Sequence, residues 1–491
     1  MSNKVLSDLS NKKQTIVYSD GRSIKEYSSW DSLFFEFDQL PVLKESIFNF
    51  LKNGFVLPPY TLFKNVYLLT IGDELNIENG ELVYRTTFPF DYFKDKNRKI
   101  ESEEFFQHWK RAVKCSMNHD GEYIFMQSAG KDSSFILEAL YKLEMQDKVR
   151  CVTYESGYRE SEGLISEKMA TDKGFTHLTV KADPKKEYDI VKNTVSVMPN
   201  ITADLALIPY LHCLQAASNA DAKVIDGMGG DIYMGFFSDK KDKILKNILK
   251  ITNKLKINSF NYSFKSEYLN YLNSSLSLNA YERIFPGTRL FHKDTMDLLS
   301  LKNDAISDNI FNEVKKTKIL NSVYYKPIIS GRLNGVAAMM EKPRLASNAL
   351  ANGVIFPFCD YNWIDYYNSL SISERLGSDH KSPKHPIKKF LSEKTSFDKY
   401  IKNKGSFRFD VSRFISENKE AIIEDILNCS LWKGKESTVL EIVSRFDKND
   451  KSYVLGSSLY TLFIISLWLN KSMYISNLES GLPEIKIEYH Q

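Results

Sequence analysis

Seven residues, Ser128-Ala129-Gly130-Lys131-Asp132-Ser133-Ser134, stand between a short apolar run and a helical pattern. Their types suit an anion. Small residues let the backbone approach a phosphate chain closely, and the helix that follows offers N–H groups and the positive end of its dipole. Ser128 and Ser133 can donate hydroxyl hydrogen bonds to those phosphates, and Asp132 can hold the Mg²⁺ that a triphosphate brings with it. Alone, the stretch reads equally as a Ser/Asp helix cap. A second stretch, Val224-Ile225-Asp226-Gly227-Met228-Gly229-Gly230-Asp231, again runs an apolar segment into a glycine-rich turn with an acid. Its glycines alone need signify only positive φ. Together the two turns argue for a ligand site, because Asp132 and Asp231 can share one metal–polyphosphate.

The elements that must position them follow from periodicity. Tyr123–Gln127, Val149–Tyr154, Thr176–Val180 and Ala222–Asp226 read as strands. Glu103–Cys115, Phe135–Leu143, Glu162–Lys173 and Leu205–Ser218 read as helices. Such alternation predicts an α/β fold with a parallel sheet, and ligands in such sheets sit at the carboxyl ends of the strands. Residues 240–330 read as a helical insert, and the remainder to about 475 as mostly helical. Upstream, Tyr67–Glu74 and Glu81–Arg85 flank Asn79-Gly80, a hairpin signal, and Phe93–Lys99 reads as a linker. The expected organisation is a small β-rich domain over 1–98 and a large domain over 103–480.

Composition narrows the classes. The chain has 491 residues, a formal charge of +4, 43% hydrophobic and 26% charged residues. It is long enough to bury a large core without disulfides. Near charge balance gives no argument for nucleic acid or a membrane surface. The five cysteines, Cys115, Cys151, Cys213, Cys359 and Cys429, have no CxxC spacing, which fits a reducing compartment. The polar start, Met1-Ser2-Asn3-Lys4, has no apolar signal region behind it. Leu459–Leu469 falls short of the roughly 20 residues that span a bilayer, so it is expected as a buried helix of a cytoplasmic protein.

At these residues the chain resembles the asparagine-synthetase-like ATP pyrophosphatases. Their loop is usually Ser-Gly-Gly-x-Asp-Ser; here Ala129 stands at the first glycine and Lys131 at the variable position. The resemblance continues in order through Glu162, Ser166, Ala170, Gly174 and His177 to the second turn, Asp226–Asp231. Phe356–Asp360 stands where the family has Pro-Phe-Leu-Asp, and Lys384–Lys388 where it has Lys-x-x-Leu-Arg. It covers roughly 105 to 475 and implies a HUP-like parallel-sheet synthetase domain with a mostly helical C-terminal part. Residues 53–74 look like the tail of the family's glutaminase domain. That domain begins with a cysteine at position two; here Ser2 stands there and no cysteine precedes Cys115.

The resemblance implies ATP and Mg²⁺ as cofactors and an AMP-forming amide ligase. Ser128, Ala129, Gly130, Lys131, Asp132, Ser133 and Ser134 would cradle pyrophosphate, with Asp132 and Asp231 on the metal. Gly227 and Met228 would approach the nucleotide, and Tyr154 would border adenine or lie in the core. Lys384 would stabilise developing charge, a surface lysine among Lys381, Lys388 and Lys389 being the alternative. Lys131 could equally point to solvent, and His177 reads as a packed histidine. Asparagine synthetases carry Glu at the places of Met228 and Ile232, and Met228 accepts no proton. This moves the expectation from free asparagine toward a small-molecule or peptide carboxylate joined to an amine or ammonia. A separate amidotransferase or pathway partner would supply any ammonia. The competing readings are an intramolecular lactam or macrolactam cyclase, as in the β-lactam synthetases and lasso-peptide cyclases, and a nucleotide-binding pseudoenzyme or scaffold. A tRNA thiolase is disfavoured by the charge balance.

Overall fold

The computed structural model describes residues 4–86, 96–157, 162–235, 269, 290–317, 327–379, 382–395, 397, 409–448 and 452–489. Most of the expected insert, and Ser2, Phe93 and Lys381, lie outside these.

The fold is α/β. Five strands build its central sheet: β1 (Tyr123–Met126), β2 (Val149–Glu155), β3 (Thr176–Lys181), β4 (Lys223–Ile225) and β5 (Val354–Ile355). All four pairings are parallel, in the order β3-β2-β1-β4-β5. β1 is apolar and buried throughout, and β2 is buried at Val149 and from Cys151 to Tyr154, as a sheet covered on both faces requires. The order reverses direction between β1 and β4. In open α/β sheets such a reversal opens a ligand crevice outside the carboxyl ends of the two strands. Both glycine-containing stretches leave from those two strand ends.

Helix α1 (Lys131–Lys142) follows β1 and buries Phe135, Ile136, Leu137, Ala139 and Leu140. Trp109, from the helix Ser102–Ser116, stacks on Phe135 at 4.9 Å and on Phe358 at 4.3 Å. This aromatic layer ties α1 to the short turn Pro357–Cys359. Helix α2 (Leu207–Ala217) precedes β4, and α3 (Glu341–Leu350) precedes β5. Helix α4 (His385–Lys394) carries the lysine discussed below at its N-terminus.

The β-rich N-terminal region is not built from N-terminal residues alone. Strand Lys486–Tyr489 pairs with Glu81–Thr86, and Ile475–Glu479 pairs with Leu40–Leu43, both parallel. The Asn79-Gly80 hairpin is present, pairing Asp73–Glu78 with Glu81–Thr86. The strand expected over Tyr67–Glu74 is in fact two. Val66–Leu69 pairs with Thr15–Ser19 in one sheet, and Asp73–Glu78 lies in another. Between them the chain turns at Gly72, which has φ +72°. Asp73 Oδ2 accepts the Thr70 N–H and hydroxyl, both at 2.6 Å, which fixes the turn.

Helix Tyr453–Lys471 contains the expected apolar run, buried from Val454 to Trp468. It is long and apolar enough to cross a bilayer, yet 83% of its apolar window is buried inside the protein. Trp468 Nε1 donates to the Met198 carbonyl at 3.0 Å, an internal partner that lipid would not provide.

Candidate active site

The two turns meet around one cavity of about 320 Å³. Ser128, Gly130, Lys131, Asp132 and Ser133 line it from the β1–α1 turn, and Asp226, Gly227, Met228 and Asp231 from the turn after β4. The sheet order explains the meeting: β1 and β4 are neighbours whose connections leave in opposite directions.

The first turn is arranged as an anion cradle. Gly130 caps α1 without any side-chain hydrogen bond to the first turn. A helix start in that condition leaves N–H groups for a ligand. Ser128 Oγ and Ser133 Oγ lie 3.0 Å apart, and Ser128 Oγ accepts the Gly130 N–H at 3.2 Å. The two hydroxyls are thus preset side by side. Two neighbouring residues are turned elsewhere. The Ala129 N–H donates to Glu162 Oε1 at 3.1 Å, and the Ser134 hydroxyl donates back to the Gly130 carbonyl at 2.9 Å. Ala129 and Ser134 do not line the cavity; Ser134's hydroxyl serves the helix backbone, contrary to the expectation that it joins the cradle.

Lys384 is not a surface lysine. Its side chain is 1% exposed, and its Nζ lies 2.5 Å from Asp132 Oδ2 and 2.6 Å from Asp231 Oδ1. Burial alone would push the ammonium's pKa down, but the Asp132 and Asp231 carboxylates outweigh that and raise it. Lys384 also has φ +58°, a left-handed conformation that costs a non-glycine residue of order 1–3 kcal/mol. The two ion pairs hold it there. Asp132 Oδ1 is buried and has no hydrogen-bond partner. An orphaned carboxylate oxygen beside a half-exposed Asp231 suits a cation. No group of three or more metal-type side chains occurs among the described residues, so a metal here would draw its remaining ligands from phosphate oxygens and water.

In the second turn the constrained glycine is Gly229 rather than Gly227. Gly229 has φ +94°, and a Cβ there would lie 2.7 Å from Cys359 Sγ. A Cβ on Gly230 would approach Lys384 Nζ to 3.3 Å. A Cβ on Gly227 would meet Ile136, Asp132 and Ser133 only at ordinary contact distances, 3.7, 3.9 and 4.0 Å.

Tyr154 does not reach the cavity. Its hydroxyl donates to Glu187 Oε1 at 2.8 Å and it is buried in the core, with the His212 ring 6.4 Å away. The expectation that it borders adenine gives way to the core reading. His177 is likewise packed: its Nε2 lies 3.0 Å from Thr153 Oγ1, and burial lowers its pKa to about 4.

Sequence reasoning missed part of the lining. Met126, Gln127, Glu162, Ala206, Tyr210, Asp226 and Lys342 also line the cavity. Asp226 had a signal, a carboxylate at the end of a strand before a glycine turn. Lys342 had none, since only packing of α3 brings it in. Asp226 is buried; its oxygens accept the Met228 N–H at 2.7 Å and the Tyr210 hydroxyl at 2.9 Å. Burial raises its pKa, and nearby Lys342 opposes the rise.

Residues 105–317 match the family model "Asparagine synthase". A search of curated proteins found no match. Two solved structures show remote similarity. One is an NMN synthetase from Francisella tularensis, at 12% identity and TM-score 0.24, covering 47% of this chain and 95% of that one. The other is an NH3-dependent NAD synthetase from Campylobacter jejuni, at 10% identity and TM-score 0.22, covering 45% and 97%. Residues 105–317, the part that contains both turns, are thus similar to the asparagine synthase family.

Proposed function

We propose that the protein adenylates a carboxylate with ATP, releases pyrophosphate and joins the acyl group to an amine or ammonia. The observation that carries this reading is Lys384, buried between Asp132 and Asp231 at the point where the two turns converge. A fixed cation beside a phosphate cradle supplies preorganised charge where a pentavalent α-phosphate and a departing pyrophosphate develop it. Ser128, Gly130, Ser133 and the start of α1 hold the leaving pyrophosphate by hydroxyl and N–H donation. Asp132 and Asp231 are the residues that would hold Mg²⁺, which when bound neutralises polyphosphate charge. Lys131 lines the same cavity and adds a positive charge.

No cysteine lines the cavity, and Cys115 is the one exposed cysteine, so we read the nitrogen as supplied without a thiol of this chain. Cys151, Cys213, Cys359 and Cys429 are buried, and burial pushes each thiol up, Cys359 to about 12 and Cys429 to about 11. A raised thiol is a poor nucleophile at neutral pH. We therefore read the N-terminal region as a support for the synthetase site rather than a glutaminase. Leu9 to Gln14 touch its second layer: Tyr233 donates to the Ser10 carbonyl at 2.6 Å, Arg344 to the Asn11 carbonyl at 2.7 Å, and Gln14 to Glu341 at 2.5 Å.

The test is carboxylate-dependent exchange of labelled pyrophosphate into ATP across a panel of amino acids, hydroxy acids and short peptides. Exchange with at least one carboxylate, lost in Asp132→Asn, supports the reading. Bound ATP with no exchange across the panel contradicts it and favours a nucleotide-binding pseudoenzyme.

A further inference from the structure

Met228 leaves the second turn without a proton acceptor at that position, yet amide formation from an amine releases a proton. Four carboxylates line the cavity: Asp132, Glu162, Asp226 and Asp231. Asp132 and Asp231 are engaged by Lys384, and Glu162 takes the Ala129 N–H. Asp226 stands apart from these. It belongs, with its hydrogen-bond partners Tyr210 and Met228 and the nearby Lys342, to one wall of the cavity.

We infer that Asp226 accepts the proton from the nitrogen nucleophile in the second half-reaction, an inference that rests on the ligase reading above. The geometry is that of a held base. The Tyr210 hydroxyl from α2 and the Met228 N–H each fix one carboxylate oxygen, leaving further lone pairs on both. Two other charged groups face this wall: Lys342 from α3 and Asp204, paired with Lys342 at 3.6 Å. Asp226 is only 6% exposed, and desolvation makes it a stronger base than a surface carboxylate. In the step, the nitrogen lone pair forms the C–N bond to the acyl carbon. The bond from that carbon to the adenylate oxygen breaks, and AMP leaves with the electron pair. The proton shed by nitrogen passes to the Asp226 carboxylate and then to water.

The experiment uses the full chain with a carboxylate that supports exchange, measuring exchange and amide formation separately. Asp226→Asn keeps the shape and one acceptor oxygen. It should lower amide formation by about 10²-fold or more, far beyond any fall in exchange. Hydroxylamine, which is neutral at pH 7, should narrow that defect. Tyr210→Phe removes a donor to the carboxylate, so the acid limb of the amide-forming rate should move to higher pH. It keeps the proposal testable if Asp226→Asn does not fold. Equal loss of exchange and amide formation in Asp226→Asn, or an acid limb unmoved by Tyr210→Phe, would overturn the role. Absence of exchange in the wild-type protein would overturn the ligase reading and this inference with it.

Discussion

Lys384 and Arg332 are both buried cations paired with aspartate, but their carboxylates differ in access to solvent: Asp73 is fully buried, whereas Asp132 and Asp231 are partly exposed. Arg332, 2% exposed, gives Nη1 to Thr70 Oγ1, Asp73 Oδ1 and the Tyr84 hydroxyl, and Nη2 to the Tyr489 hydroxyl. Asp73 is fully buried and has its other oxygen on Thr70. That cluster joins the N-terminal hairpin, the helical stretch Pro327–Met339 and the last strand. Lys384 holds two aspartates instead of one, sits in a left-handed conformation, and leaves Asp132 Oδ1 without a partner. Asp231 is 46% exposed. A sealed carboxylate–guanidinium cluster fastens distant parts of the chain. One that is strained and open on one side has the character of a ligand-binding centre.

Breaking each cluster should therefore fail in a different currency. Lys384→Met should lower carboxylate-dependent exchange by about 10²–10³-fold while the protein stays folded by circular dichroism. Arg332→Met leaves Asp73 buried and unpaired and should cost about 3–5 kcal/mol in urea unfolding. Molecules of that variant that remain folded should still bind ATP. If Arg332→Met abolished binding in folded protein, the division between the clusters would collapse.

A smaller effect sharpens the link between the second turn and its support. Gly229→Ala places a methyl 2.7 Å from Cys359 Sγ at φ +94° and should cost about 1–3 kcal/mol. Cys359→Ala in the same chain should recover the steric part and not the backbone part. Equal stability of the single and double variants would show that the clash is not the cause.

The smallest effect comes from His177, on the structural side. Burial holds its folded pKa at about 4, below the 6.5 of an exposed histidine. Above pH 6.5 neither state binds the proton. As pH falls from 6.5 toward 4 the unfolded chain takes it up first, so stability is lost. His177→Gln should therefore lose less melting temperature than wild type between pH 7 and 5. Parallel losses would mean that other groups carry that acid sensitivity.

Local chemistry decided what the sequence could reveal. Ser128–Ser134 and Asp226–Asp231 announced themselves because strand, glycine turn and helix start are all local patterns, and the positions of β1–β4 follow from periodicity. The burial of Lys384 was not legible, because Asp132 lies 252 residues away in sequence. Nor was the entry of Lys342, which depends on how α3 packs, or the pairing of Tyr154 with Glu187, which comes from the helix Pro184–Thr194. The split at Gly72 was hidden by the continuous apolar look of Tyr67–Ile71, since the tie between Thr70 and Asp73 is a side-chain event. The return of the last strands to the N-terminal sheets pairs residues about four hundred positions apart, as Arg85 and Glu488 show, and no local pattern encodes it.

The measurement that bears most directly on the site is calorimetric titration of the full chain with ATP in the presence of Mg²⁺. It needs no knowledge of the carboxylate. One binding site is expected, weakened about 10²-fold or more by Asp132→Asn and by the paired change Ser128→Ala with Ser133→Ala, on the scale of lost charge-assisted contacts, and retained in Asp73→Asn wherever that variant folds. No binding by the wild-type protein, or binding indifferent to Asp132, Ser128 and Ser133, would contradict a nucleotide site at the junction of the two turns.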